Sequence, residues 1–470
     1  MITDKCQKFT PKEHVLHLLN EVGYTTNIYN KTILENACGD GNILTEIVNR
    51  YISISIEEGF SANEIKEGLE KNIYGLEIDE RHQKKCIENL NEISENFGIT
   101  NVRWNILKRD SLKNPLTKKF DFVIGNPPYI TYQEIDKDTR LFIREKFDTC
   151  KKGKFDYCYA FIESSINSLS NKGKMAYLIP NSIFKNVFGN DLRDYMKFYL
   201  KKIIDYRSIK VFPDAITSSS IIILDKGNIV SEFEYQDMEK NQVKFIVKDS
   251  LHDKWIFTPI KKNRDSKMNR FGDFFKVSNS IATLRNELFV LKDYQEDDAY
   301  IRCKGQMFEK EVLRKAASPR SLAKGKNEVI IFPYYYKEGE LKKYTEGEFT
   351  NRFPKTLEYL KKNRKELDLR DSDKSSQWFE YGRSQALSHL NTEKLLISSV
   401  FSKKIKIYNI GVDGIPYSGF YITPKADINL DECSNILSSR RFSEYVHSIG
   451  TNASGESLRI TVKDVENYMF

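Results

Sequence analysis

The stretch DFVIGNPPYI, residues 121–130, decides how the chain is read. Phe122, Val123 and Ile124 form the apolar run of a buried strand, and Gly125 and Asn126 are then followed by two prolines and a tyrosine. Proline has no N–H to give a strand ladder, so the strand must end here. The prolines also lock φ, which holds the Pro127 carbonyl in one direction. Two rigid oxygen acceptors result, the Asn126 side-chain carbonyl and the Pro127 backbone carbonyl, with Pro128 leading to the ring of Tyr129. This pair suits a planar aromatic amine, whose lone pair is delocalised into the ring and is a poor nucleophile. Acceptors that take both N–H hydrogens favour the pyramidal nitrogen needed for attack, a preorganised electrostatic stabilisation. Tyr129 is placed to stack on such a base, a contact worth about 1–3 kcal/mol.

Upstream, strands and helices alternate. TILENACGDG (32–41) runs from a short apolar strand into a glycine-containing loop, and NILTEIVNRYI (42–52) follows at helical spacing. SANEIKEGLEKN (61–72) opens with Ser61 and Glu64 in a capping-box pattern. IYGLEID (73–79) is a strand ending in acids, ERHQKKCIENLNEISENFG (80–98) a helix closed by glycine, and VRWNILKRDSL (102–112) a third strand. The pattern predicts a parallel sheet with helices on both faces. After it come a helix in 155–173, a strand at 174–180, a partly helical 183–202, and two late strands, 203–212 and 218–227, readable as a hairpin at one sheet edge.

Each early strand ends in groups suited to a ligand. Gly39 and Gly41 let backbone approach a ligand closely, although a bare tight turn needs glycine too. Glu77 ends the second strand, where an acid commonly accepts hydrogen bonds from ribose hydroxyls. The 36 residues from Gly41 to Glu77 exceed the usual dinucleotide spacing of about 20, and the additional helix at 61–72 accounts for the excess. Asp110 ends the third strand, either to reach an adenine amine or to cap a turn.

Composition sets the outer bounds. The 470 residues are 40% hydrophobic and 30% charged, with net charge +8. A mildly basic chain is compatible with nucleic acid. No apolar run approaches the ~20 residues of a bilayer span, and MITDKCQKFTPKE has no signal-peptide core. Seven irregularly spaced cysteines point to reduced thiols in a cytoplasm, and no metal site is expected. The texture changes near 235–265, and we divide the chain into 1–240 and 241–470. Residues 254–270 hold six basic residues, Lys261, Lys262 and Arg264 among them, against the single acid Asp265. Such a run suits phosphates or a solvated basic face.

DFVIGNPPYI is similar to the catalytic motif of S-adenosylmethionine-dependent amino-methyltransferases. The segment order resembles the adenine-specific DNA methylases of restriction–modification systems with the gamma-type permutation. Phe9, Thr10 and Pro11 match that family's leading FTP, a lid on the methionine end of the cofactor. Ala37, Cys38, Gly39 and Gly41 match its glycine loop, from which Asn36 and Asp40 depart. Glu77 with Ile78 matches the ribose-binding acid, and Asp110 with Ser111 the adenine-binding turn. Phe212 falls where the family places a second aromatic against the extruded base. QWFEYGRSQAL (377–387) and SGESLRIT (454–461) resemble elements of the target-recognition regions, with Arg383, Ser384 and Gln385 as candidate DNA contacts.

The resemblance implies a Rossmann-like α/β methyltransferase domain with a mostly parallel sheet and a late antiparallel hairpin, followed by an α+β target-recognition domain. It further implies S-adenosyl-L-methionine as cofactor, double-stranded DNA as partner, adenine as target, and a cognate restriction endonuclease encoded separately. RNA or protein-glutamine amino-methyltransferases, which also use Asn-Pro-Pro-aromatic, and a non-catalytic DNA-binding specificity subunit are the alternatives.

Overall fold

The computed structural model describes residues 10–212, 218–257, 268–384, 386–425, 428–454 and 457–470. The chain divides into two compact units, Met1–Pro259 and Ile260–Phe470.

The first unit is built on nine strands: β1 (Ile33–Glu35), β2 (Ile73–Glu77), β3 (Asn105–Lys108), β4 (Phe120–Gly125), β5 (Leu169–Pro180), β6 (Leu200–Asp205), β7 (Ser219–Asp225), β8 (Glu232–Asp237) and β9 (Gln242–Val247). Their order in the sheet is β3-β2-β1-β4-β5-β7-β6-β8-β9. β1 to β5 run parallel, with Ile33 facing Ile73 of β2 on one side and Phe122 of β4 on the other. β7 lies antiparallel between β5 and β6. The late pair is antiparallel but does not form the sheet edge, because β8 pairs with β6 and β9 with β8. The third strand is shorter than its sequence predicts: Asp110 turns back on the amides of Leu112 and Lys113 and ends the extended run.

Strand residues alternate between two apolar layers. Leu34, Leu76, Val123 and Met175 face one layer with α6 (Tyr157–Ser168) and α7 (Asn190–Lys197). Ile33, Ile106, Phe122 and Leu178 face the other, with α1 (Lys12–Val22), α2 (Asn42–Glu57) and α4 (Glu80–Glu95). All seven residues of β7 are buried, as a strand covered on both faces requires. α3 (Ala62–Asn72) carries the capping box read from Ser61 and Glu64, with the Ser61 amide donating to Glu64 at 2.8 Å.

A chain of charges ties α1 to the sheet. His17 Nε2 lies 3.4 Å from Glu21, Lys202 Nζ is 2.7 Å from Glu21, and the same Nζ is 2.9 Å from Glu234. The hydrogen bond from His17, joined by Lys202 against the opposing effect of burial, holds the Glu21 carboxyl down at about 2 from its ordinary 4.5. A carboxyl depressed by folding contributes stability above its unfolded pKa and loses it as pH falls through the folded one. Glu21→Gln is therefore expected to lower unfolding stability at pH 7 by about 0.5–1 kcal/mol. In urea titrations, the gap from the parent should close as pH drops from 4.5 towards 2.

The second unit is α+β, with short, mostly antiparallel sheets, in which Leu313–Ala317 pairs parallel with Ile415–Pro416. One four-stranded sheet joins Phe275–Asn279, Phe420–Pro424, Leu395–Ile397 and Ile407–Asn409, and another joins Val290–Lys292, Glu328–Ile331, Leu313–Ala317 and Ile415–Pro416. Its core is aromatic: Phe332, Tyr334, Phe349, Phe353, Phe379 and Tyr381 are all buried. The aromatic patches at 332–337 and 377–381 thus serve mainly as core. Among the described residues no helix is long and apolar enough to cross a membrane.

Candidate active site

Four adjacent parallel strands, β3-β2-β1-β4, bring Asp110, Glu77, the 36–41 loop and Asn126 to their shared carboxyl ends. Open α/β sheets bind ligands at this edge. The Cys38 amide donates to the Leu76 carbonyl at 3.0 Å, and the Gly41 amide to the Cys38 carbonyl at 2.8 Å, folding the loop tightly. Gly39 and Gly41 both have left-handed backbone, φ +51° and +85°. They differ in surroundings. A Cβ on Gly41 would stand 2.6 Å from Cys86 Sγ, whereas a Cβ on Gly39 would meet nothing within 4 Å. Gly41 is therefore needed for packing, and Gly39 leaves backbone open to the sheet edge.

Glu77 is buried and gathers the loop's donors. One carboxylate oxygen accepts from Gly39 N at 2.9 Å, and the other from Ile78 N at 2.8 Å and Asp79 N at 2.9 Å. Beside it Ile78 is 57% exposed, an apolar surface at the end of an otherwise buried strand. Asn36 turns inward: its amide donates to Ser165 Oγ at 2.9 Å and its carbonyl accepts from the Tyr177 hydroxyl. Ala37 packs against the apolar layer, and the buried Cys38 thiol is pushed up by its hydrogen bond with Cys86 and by burial. Asp110 shapes its own turn, with Ser111 buried after it.

At the end of β4, Asn126 Nδ2 lies 3.3 Å from Oγ1 of the buried Thr10, and Pro11 caps α1 directly after it. Pro127 is buried and Pro128 half-buried. The Tyr129 hydroxyl donates to the Leu178 carbonyl of β5 at 2.8 Å, which pins a half-buried ring, and burial pushes its phenol well above the usual range. The Ile130 carbonyl accepts from Tyr157 N at 2.9 Å, so the loop is also anchored to α6. Phe212 is buried, in the apolar layer that holds Tyr206 and Val211, while Tyr129 packs against the opposite layer.

Two groups stand at the site without a role read from the sequence. Asp40, a departure from the family loop, bonds His82 Nδ1 at 2.6 Å and so ties the loop to α4. Glu35 is buried with one carboxylate oxygen unpartnered among the described residues, and burial pushes its carboxyl well up. Its place after the apolar Thr32–Leu34 run was the available clue.

In the second unit Arg383 reaches Asp373 at 3.0 Å and Asp371 at 2.7 Å, and the Ser384 amide and hydroxyl both donate to Asp373. Two acids thus offset the cation proposed for DNA. Phe9, Lys261, Lys262, Arg264 and Gln385 lie outside the described residues.

Residues 42–212 match the family model described as Eco57I restriction-modification methylase. The type II restriction enzyme and methyltransferase RM.Eco57I of Escherichia coli is 26% identical over 467 residues, covering 81% of this chain and 47% of the relative. The type II methyltransferase M.BstVI of Geobacillus stearothermophilus is 23% identical over 490 residues, covering 94% and 85%. M.AccI of Acinetobacter calcoaceticus is 28% identical over 274 residues, covering 52% and 49%. The chain thus spans about half the length of RM.Eco57I and M.AccI. Among solved structures, the type IIL restriction-modification enzyme MmeI in complex with DNA superposes with a TM-score of 0.63 at 15% identity, over 97% of this chain and 65% of that one. At that identity the likeness is one of fold. Over residues 42–212 the chain is similar to the Eco57I restriction-modification methylases.

Proposed function

We propose that the first unit transfers a methyl group from S-adenosyl-L-methionine to the exocyclic amine of an adenine rotated out of duplex DNA, as the modification enzyme of a restriction–modification system. The observation that carries this is the row of loop, acid and Asn-Pro-Pro-Tyr at the ends of four neighbouring parallel strands. The residues fit the cofactor: Gly39 faces open space in a backbone conformation that side chains avoid, and the buried Glu77 stands beside the exposed Ile78. When bound, S-adenosyl-L-methionine supplies a methyl group on a positively charged sulfur.

Each protein group then has a task. Glu77 retains lone pairs for ribose hydroxyls beyond the three amides it already holds, and Ile78 offers a face for the adenine ring of the cofactor. Thr10 and Pro11 close over the methionine end, and Asp110 with Ser111 bounds the purine. Asn126 and Pro127 offer carbonyl oxygens to the target amine. Tyr129, held by Leu178, offers its ring to the base, which helps offset the few kcal/mol needed to extrude it. No general base is needed before attack because the amine is neutral, and its proton leaves after transfer. Phe212 is buried in the layer opposite Tyr129, so the base-stacking role falls to Tyr129. The second unit is assigned to target recognition, with double-stranded DNA as partner and cleavage left to a separate endonuclease. The names of the relatives, a methyltransferase and a combined restriction enzyme and methyltransferase, support a restriction–modification setting.

The test offers isotopically labelled methyl donor with duplex DNA, ribosomal RNA and a protein release factor. Label is expected in the DNA alone. Tyr129→Ala should reduce incorporation about ten- to a hundredfold through lost stacking. Label in RNA or protein, or full activity in the variant, would refute the assignment.

A further inference from the structure

The second unit holds a cavity of about 430 Å³ that none of the motifs accounts for. Buried Phe332 and Leu390 contribute apolar surface to it. Phe332 stacks with Tyr336 at 6.1 Å between centroids, and the Tyr336 hydroxyl is buried without a partner among the described residues. The exposed Lys315, Asn391 and Asp413 also line the cavity. Among the described residues their side chains make no hydrogen bond or ion pair.

The loops carrying Asn391 and Asp413 are fastened together from beneath. Lys394 is fully buried, and its ammonium lies 2.8 Å from the Leu390 carbonyl and 3.0 Å from that of Thr392. It lies 2.8 Å from each of the Gly411 and Val412 carbonyls. Thus one cation spans the backbone on both sides of Asn391 and immediately before Asp413. Burial pushes the ammonium down to about 8, which leaves it charged at neutral pH. A buried charge is expensive to keep, and here it fixes the backbone that carries two exposed polar side chains. Binding sites need rigid support of this kind.

We infer that Asn391 and Asp413 at this cavity read one DNA base whose major-groove edge donates from an exocyclic amine, adenine or cytosine. The inference rests on the proposed methylation of DNA. A carboxylate only accepts hydrogen bonds, so Asp413 selects a base edge that donates, and an Asn amide can meet adenine with both an acceptor and a donor. Arg314, its guanidinium over the buried Phe332 ring, and Tyr336 bound the cavity beside them, and Lys315 takes a neighbouring phosphate.

The test maps methylated adenines by long-read sequencing in cells carrying the full chain, Asn391→Ala or Asp413→Asn. Both substitutions are at exposed positions, so folding is retained, as thermal melting will verify. Discrimination at one position of the methylated motif, the same in both variants, should fall about ten- to a hundredfold, with the other positions unchanged. An unaltered motif in both variants, or a uniform decline at every site, would overturn the inference. Absence of methylation by the parent chain would instead overturn the proposed function beneath it.

Discussion

Asn126→Ala is expected to lower methyl transfer about a hundred- to a thousandfold, the usual effect of deleting one preorganised polar group from a reacting centre. In the proposed reaction the attacking amine gains positive charge as the new bond forms, and the Asn126 carbonyl is the side-chain acceptor assigned to stabilise it. Alanine removes that oxygen but leaves Pro127, the strand and the Tyr129–Leu178 hydrogen bond in place. Donor binding, measured by calorimetry, should change by only a few fold, because Gly39, Glu77 and Ile78 belong to other strands. Asn126→Asp, which keeps an acceptor oxygen, should fall between parent and alanine. Equal turnover in parent and alanine variant would remove the residue from the reaction.

Glu77→Ala should act on binding and stability together. The carboxylate accepts from the amides of Gly39, Ile78 and Asp79. Its removal leaves three part-buried amide donors without this acceptor, at a penalty of about 1–3 kcal/mol, or roughly 3–9 °C in melting temperature. The loop that it closes would also loosen, and donor affinity should weaken about thirtyfold or more, in line with loss of a charge-assisted hydrogen-bonding group. Glu77→Gln isolates the two effects. It retains a carbonyl for one amide and the volume of the side chain, so it should melt closer to the parent while still binding the donor poorly. Undiminished donor affinity in both variants would show that the acid serves only the loop.

The local parts of this site were legible because each rests on neighbours in sequence. Two prolines stop a strand wherever they occur, Ser61 and Glu64 cap a helix three residues apart, and the helix 61–72 explains the long gap before Glu77. What sequence spacing conceals is pairing across the fold. Asn36 meets Ser165 and Tyr177, 129 and 141 residues away, and so turns inward although its place in the loop suggested a ligand. Arg383 carries the sequence character of a DNA contact, yet Asp371 and Asp373 fold back onto it. β9 was missed for another reason. It is an edge strand that turns Val243, Phe245 and Val247 to solvent and half-buries Lys244 and Ile246, the reverse of the usual apolar-in alternation. Lys394 gave no signal at all, since only the folded loops reveal four carbonyls around its ammonium.

The central claim is that two rigid oxygens at the end of β4 present an adenine amine for methylation. Purified chain should be incubated with labelled methyl donor and duplex DNA, and the DNA then digested to nucleosides for mass spectrometry. The expected product is N6-methyladenine, reduced about a hundred- to a thousandfold by Asn126→Ala. Label in N4-methylcytosine, or DNA that stays unlabelled while the protein binds the donor, would contradict the account.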